Sequence, residues 1–120
     1  MIQSYKDLKA YEKSYQMVLE MYREASTFPK EELYGLSSQI KRAAVSIPLN
    51  IAEGYGKRRS VNEFKRYLLM AIGSCDEMKV LINLCKDLGF IEVKTHDKCY
   101  ESYEEIGRML NGLHAKWEAR

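Results

Sequence analysis

The chain has 120 residues, of which 46% are hydrophobic and 30% charged; this length suits one domain, and the composition is too apolar for a disordered protein. No apolar run is long enough to cross a bilayer, and the N-terminal MIQSYKDLKAYEKSYQ lacks the apolar core of a secretory signal. The three cysteines include no Cys-x-x-Cys pair, so free thiols in a reducing compartment are predicted. We therefore expect one cytoplasmic domain, residues 1–120, without a membrane segment.

The net charge of +2 is unevenly distributed along the chain. From Lys41 to Arg66 there are seven lysines and arginines and two acids, a net charge of +5, whereas the remaining sequence carries −3. Concentrated positive charge is typical of a surface that binds a polyanion, but a solvated loop can give the same pattern. Charge alone leaves both interpretations open.

The first helical pattern begins near Ser4, which lies three residues before Asp7 in a capping arrangement, and it ends before Pro29. Apolar residues recur along it at steps of three and four, which is typical of one helix face. The predicted buried face consists of Leu8, Tyr11, Tyr15, Val18, Tyr22 and Ala25.

A second helix is predicted after Gly35, which is expected to adopt a left-handed conformation. Ser37 or Ser38 is the expected N-cap, and a left-handed glycine, Gly54 or Gly56, is expected to end the helix. The predicted apolar face is Leu36, Ile40, Ala44, Ile47 and Ile51. A separate polar stripe carries Gln39, Arg42, Ser46, Asn50 and Glu53.

Pro48 lies inside this second helix and predicts a kink, because proline leaves the carbonyl of Ala44 without its usual donor. Glu53 follows the apolar Ile51 and Ala52, so it is expected to find a cation or backbone donors, or else to lie on an exposed or intersubunit face. No second acid or histidine stands near it at helical spacing. A structural role is therefore favoured over catalysis.

The third helix is predicted to start at Ser60, with Glu63 completing a capping box, and to stop at Gly89. The fourth runs from Thr95 to Trp117. The third stripe is Phe64, Leu68, Ala71, Cys75, Met78, Ile82 and Cys85, and the fourth is Cys99, Tyr103, Ile106, Leu110, Leu113 and Trp117. Long helices with short connections predict an all-α fold, an antiparallel up-down-up-down four-helix bundle.

Several chemistries do not fit this sequence. A di-metal bundle requires Glu-x-x-His, whereas Gly56 stands three residues after Glu53 and Val80 three residues after Glu77. Packed thiols and an exposed histidine are favoured over a zinc site built from His96, Cys99 and Cys85. Neither a nucleophile elbow nor a phosphate loop occurs. We therefore expect no enzyme activity, cofactor or metal.

A basic cluster at the turn between the second and third helices is the strongest functional signal. Its members are Lys57, Arg58, Arg59, Lys65 and Arg66. The N-terminus of the third helix would add backbone donors for phosphate, and Tyr55 is a candidate for stacking with an unpaired base.

The third helix also carries apolar residues outside its stripe, namely Leu69, Met70, Ile72, Val80, Leu81 and Leu84. This extra apolar width marks either the most central helix of the bundle or a surface that a neighbouring copy covers, and oligomerisation is favoured.

The segment from Ser37 to Ile91, with IPLNIAEG followed by AIGSCDE, resembles the 23S rRNA-intervening-sequence protein family of small bacterial four-helix bundles. That family is similar in fold to the accessory variability proteins of diversity-generating retroelements, which assemble as pentamers and work with a reverse transcriptase and its RNA. The matching positions are Arg42, Ser46, Ile47, Pro48, Asn50, Ile51, Ala52, Glu53, Gly54, Gly73, Ser74 and Glu77.

The resemblance implies a homopentamer with a basic surface, and it implies no settled function. Two hypotheses follow. The first is a non-enzymatic oligomer that binds RNA or DNA through the basic cluster. The second is an interaction scaffold that docks a partner enzyme such as a reverse transcriptase, in which case the basic turn is a contact surface or a solubilising loop.

Overall fold

In the computed structural model, which describes residues 2–118, the helices pack in chain order around one core. They are α1 (Lys9–Ala25), α2 (Leu36–Gly56), α3 (Val61–Asp87) and α4 (Val93–Lys116), and 3-10 turns occupy Tyr5–Asp7 and Lys30–Glu32. Contacts join α1 to α2, α2 to α3 and α3 to α4, and α4 closes against α1. The predicted four-helix bundle is confirmed, with a long axis of 47 Å.

The core is built from the apolar stripes of α2, α3 and α4. Every predicted residue of the α2 and α3 stripes is buried, because spacings of three and four place them on the helix face that meets the other helices. In α4 the prediction also holds, apart from the half-buried Leu113. These stripes supply most of the large side chains removed from water, the main favourable contribution to folding.

The buried face of α1 differs from the predicted one. It consists of Ala10, Ser14, Met17, Met21 and Ala25. Tyr15 and Tyr22 are 48% and 45% exposed, and Tyr11 and Val18 are half-buried. Both sets of residues recur at steps of three and four, but methionine is wholly apolar whereas tyrosine keeps its hydroxyl in water at the rim. The prediction for the middle of this helix was therefore wrong.

A side chain, rather than a left-handed glycine, caps the start of α2, and the end of α2 is also not formed by a left-handed glycine. The Glu32 carboxylate accepts a hydrogen bond from the Leu36 N–H at 3.0 Å, so α2 begins earlier than the predicted serine caps allow. Gly35 has a φ of −108°, and the one positive-φ residue within residues 2–118 is Gly89, at +80°. The left-handed conformations expected before and after α2 are thus wrong, and the stop at Gly89 is confirmed.

Pro48 is buried inside α2, and the helix continues past it to Gly56. On the outside of α3, by contrast, large apolar side chains remain in contact with solvent. Leu69, Met70, Val80 and Leu84 are all at least 43% exposed. Within the described part of the chain, no helix is long and apolar enough to span a membrane.

Candidate nucleic-acid interface

The predicted basic cluster lies where α2 ends and α3 begins. A four-residue turn joins the two helices, and the Ser60 N–H donates to the Lys57 carbonyl across it at 3.1 Å. The Ser60 hydroxyl then accepts from the Glu63 N–H at 3.2 Å, which confirms the predicted N-cap. The predicted capping box is wrong, because the Ser60 N–H is already used in the turn and the Glu63 carboxylate accepts from Arg66. Lys65 and Arg66 follow within the first two turns of α3. All five predicted cations therefore share one end of the bundle, called the basic end below.

The end of α4 closes the core at the basic end. The Trp117 ring lies edge-on to Phe64, with centroids 4.6 Å apart, and to Tyr55, at 6.2 Å. Lys9, at the start of α1, and Lys116, at the end of α4, border one shallow groove. The up-down-up-down topology thus gathers cations from separate parts of the sequence around one aromatic cluster.

Charge is polarised along the length of the bundle. If each helix is divided near its midpoint, residues 2–17, 47–74 and 105–118 form the half that contains the basic end. That half carries ten lysines and arginines against six acids, a net charge of +4. The other half, residues 18–46 and 75–104, carries eight against eleven, a net charge of −3. The modest net charge of the chain conceals this asymmetry.

Most of the cluster has no carboxylate partner. Arg66 is the exception: its Nε and Nη2 atoms donate to Glu63 at 3.1 and 3.2 Å, and this hydrogen bonding lowers the pKa of that carboxyl. The Arg58 guanidinium lies 4.2 Å from the centroid of the Tyr55 ring and donates to the Tyr55 carbonyl at 3.0 Å. Within residues 2–118, no ion pair involves Lys57, Arg59 or Lys65.

Tyr55 is poorly placed for the predicted stacking role. It is 6% exposed, because its ring packs edge-on against Phe64 and Trp117 and is covered by Arg58. Tyr67, nearly two helical turns into α3, is half-buried and was missed as a candidate. The sequence does hold a signal for it, since this tyrosine directly follows two cations.

Gly54 explains how Tyr67 reaches its position. A Cβ atom added at Gly54 would lie 2.6 Å from the Tyr67 Cβ and 3.0 Å from the Phe64 Cδ1. A real Cβ does not tolerate such distances, so the absence of a side chain lets α3 approach the backbone of α2 here. Gly54, a residue of the predicted structural motif, therefore determines where the Tyr67 ring lies at the basic end.

The rest of the predicted structural motif, apart from the buried Pro48, lies at or near the surface along α2 and α3. The Ser46 hydroxyl donates to the Ala43 carbonyl at 2.7 Å and lies 2.6 Å from the Ser74 hydroxyl, which links the two helices. The Asn50 amide donates to the Ser46 carbonyl at 2.8 Å. The exposed members are Arg42, Glu53, Gly73 and Glu77, and none of the three charged ones forms an ion pair within the described residues.

His96 was expected to be exposed but is buried, at 8% exposure. Its Nε2 lies 2.7 Å from the Asn83 Oδ1 of α3, its Nδ1 lies 2.8 Å from the Asp97 Oδ1, and its ring stacks on Tyr100. These contacts link α3 to α4 at the end opposite the basic end. They place the imidazole in a structural contact between the two helices.

The cysteines are free and buried, as predicted. Burial raises the pKa of the Cys75 and Cys85 thiols to about 12 and that of Cys99 to about 11. Protonated thiols are poor nucleophiles and poor metal ligands. Among residues 2–118, no group of three or more His, Cys, Asp or Glu side chains is placed to hold a metal ion.

Three solved chains match this structure. One is a protein with unknown function from the S23 ribosomal protein family of Bacteroides thetaiotaomicron VPI-5482, with a TM-score of 0.83 and 21% identity over 92% of this chain and 99% of that chain. At that identity the likeness shows a shared fold. No curated protein matches the chain. The family model of the 23S rRNA-intervening sequence protein matches residues 6–112, and the chain therefore belongs to that family.

Proposed function

We propose that this chain is a non-enzymatic accessory protein that acts in the cytoplasm and binds nucleic acid, RNA in particular, through the basic end. The observation that carries the proposal is the group of cations that form no ion pair within residues 2–118, namely Lys57, Arg58, Arg59 and Lys65. They lie at the positive end of a polarised bundle. Phosphate groups are the natural counter-charge for such a surface, and a partner related to ribosomal RNA agrees with the description of the family.

The proposed active form is a homo-oligomer, with the pentamer as the expected state. Gly73 supports it, because a Cβ added there would meet no atom within 4 Å, although glycine inside a helix costs about 1 kcal/mol relative to alanine. Nothing among the described residues of one subunit requires a glycine at this position. A second copy of the chain would bury the exposed apolar residues that lie nearby on α3. Light scattering on the purified protein tests this with an expected mass of about five subunits.

The second candidate function is an interaction scaffold that docks a partner enzyme such as a reverse transcriptase. A specific feature favours it: an apolar groove of about 300 Å³ between α1 and α2, bordered by Tyr11, Tyr15, Leu19, Pro48 and Leu49. Such a groove suits a protein segment better than a phosphate backbone. Binding of the purified partner to a protein free of nucleic acid would support the scaffold.

Fluorescence anisotropy with labelled RNA at low salt tests the leading proposal. We expect binding that weakens steeply as salt rises, because each neutralised phosphate releases counterions. Replacing all five cluster cations with glutamine should abolish binding while circular dichroism shows an intact bundle. An absence of binding by the wild type at low salt, or unchanged binding by this variant, would rule the proposal out.

A further inference from the structure

The aromatic ring of Tyr67 is held in place at the basic end and partly exposed there. Because Gly54 has no side chain, the Cβ and Cγ of Tyr67 lie directly against the backbone of α2. A ring fixed at its root loses little further conformational freedom when it contacts a ligand, so contact at such a ring costs less entropy than at a mobile side chain.

Two cations accompany this ring. The Arg66 Cζ lies 4.7 Å from its centroid, and the Lys57 Nζ lies 5.9 Å from it. Arg66 also forms an ion pair with Glu63, which holds its guanidinium over the ring. Lys57 also lies over the ring but farther from it, and it has no ion pair within the described residues, so movement of its flexible side chain to a phosphate would expose the ring surface that it covers. An aromatic face with one fixed and one movable cation has the composition that stacks a base and neutralises the phosphates on either side of it.

We propose, building on the proposed function, that the basic end selects single-stranded nucleic acid, with one unpaired base stacked on Tyr67 and adjacent phosphates bound by Lys57 and Arg66. In a duplex, both faces of every internal base are already stacked, so a duplex can offer this surface only its phosphates. The tyrosine therefore supplies the preference for single strands, and the cations supply affinity for either form.

The test compares single-stranded and duplex oligonucleotides of equal length on wild-type protein and on Tyr67→Ala. Stacking on an aromatic side chain contributes roughly fivefold or more in affinity per base, so we expect at least that loss for the single strand and little change for the duplex. Tyr67→Phe should retain the wild-type preference. The slope of affinity against salt should be unchanged in both variants, because the phosphate contacts remain.

Tyr34→Ala is the matched control, since Tyr34 is 93% exposed and lies in the connector before α2, away from the basic end. It should bind both oligonucleotides as the wild type does. A second readout uses single strands that contain the fluorescent base 2-aminopurine, whose emission should fall on binding to wild type and fall much less on binding to Tyr67→Ala.

Tyr67→Leu separates loss of the aromatic ring from a folding defect in Tyr67→Ala, because leucine keeps apolar volume against α2 but has no ring. If Tyr67→Leu folds and keeps the full preference for single strands, or if wild type binds both forms equally, the stacking inference is wrong while nucleic-acid binding stands. If wild type binds neither form, the proposed function itself fails.

Discussion

The two ends of the bundle use their polar groups differently. At the end opposite the basic end, Phe28 packs on Phe90, the N–H of Phe90 donates to the Cys85 carbonyl across Gly89, and His96 contacts side chains on two helices. These polar groups are engaged within the subunit. At the basic end, Lys57, Arg58 and Arg59 of the turn form no ion pair within the described residues. Several lysines at the other end form no ion pair among these residues either, so the ends differ in the sign of their net charge and in the buried polar contact between α3 and α4, which lies opposite the basic end.

The aromatic cluster beneath the basic end gives the largest expected effect. Phe64 is fully buried and contacts both Tyr55 and Trp117, so Phe64→Ala should lower the free energy of unfolding by about 3–5 kcal/mol. At the opposite end, Phe28→Ala should cost less, because Phe28 is 9% exposed. Urea denaturation followed by circular dichroism measures both; an equal loss at the two ends would contradict this ranking.

Gly54→Ala tests the close approach of α2 and α3. The new methyl group would overlap Tyr67 and Phe64, so we expect a loss of about 1–3 kcal/mol in the free energy of unfolding. The same denaturation experiment measures it, and a stabilised variant would contradict the packing described here.

Gly73→Ala is the matched control for Gly54→Ala, since a methyl group there meets no atom of the subunit. Within one subunit it should be neutral, or stabilising by up to about 1 kcal/mol, because alanine favours helix. Weaker self-association of Gly73→Ala by light scattering would support a close intersubunit contact at this position.

The smallest expected effect concerns the cap of α3. Ser60→Ala removes the acceptor for the Glu63 N–H and should cost about 1 kcal/mol. Ser26→Ala, which removes an exposed hydroxyl after α1, should stay within about 0.5 kcal/mol of wild type in the same denaturation experiment. Equal effects of the two changes would show that Ser60 contributes no cap.

The sequence predicts the buried face well where one stripe is clearly more apolar than the others, and poorly where two stripes compete. In α2, an apolar stripe beside a separate polar stripe left one solution for the buried face. In α1, tyrosines and methionines both recur at helical spacing, and the choice between Met21 and Tyr22 depends on how α1 is rotated against its neighbours. That rotation is a tertiary property that one helix pattern does not contain.

Prediction of the candidate site from the sequence has the same limit: features within one element are predictable, and contacts between elements are not. Consecutive cations beside a capping serine were enough to place the cluster at a turn. The burial of Tyr55 was not predictable, because it depends on Trp117, which is 62 residues away along the chain. The burial of His96 likewise depends on Asn83 of the preceding helix. Both are contacts between elements, and periodicity within one element says nothing about them.

The central claim is that the basic end binds nucleic acid, and the most direct measurement compares charge removal at the two ends. One variant carries Lys57→Ala, Arg59→Ala and Lys65→Ala, and its control carries Lys30→Ala, Lys94→Ala and Lys98→Ala, which remove the same charge from the other half. For single-stranded RNA, the slope of log affinity against log salt should become shallower by about 2 in the first variant, and it should stay near the wild-type value in the control. Equal losses in the two variants would contradict the claim.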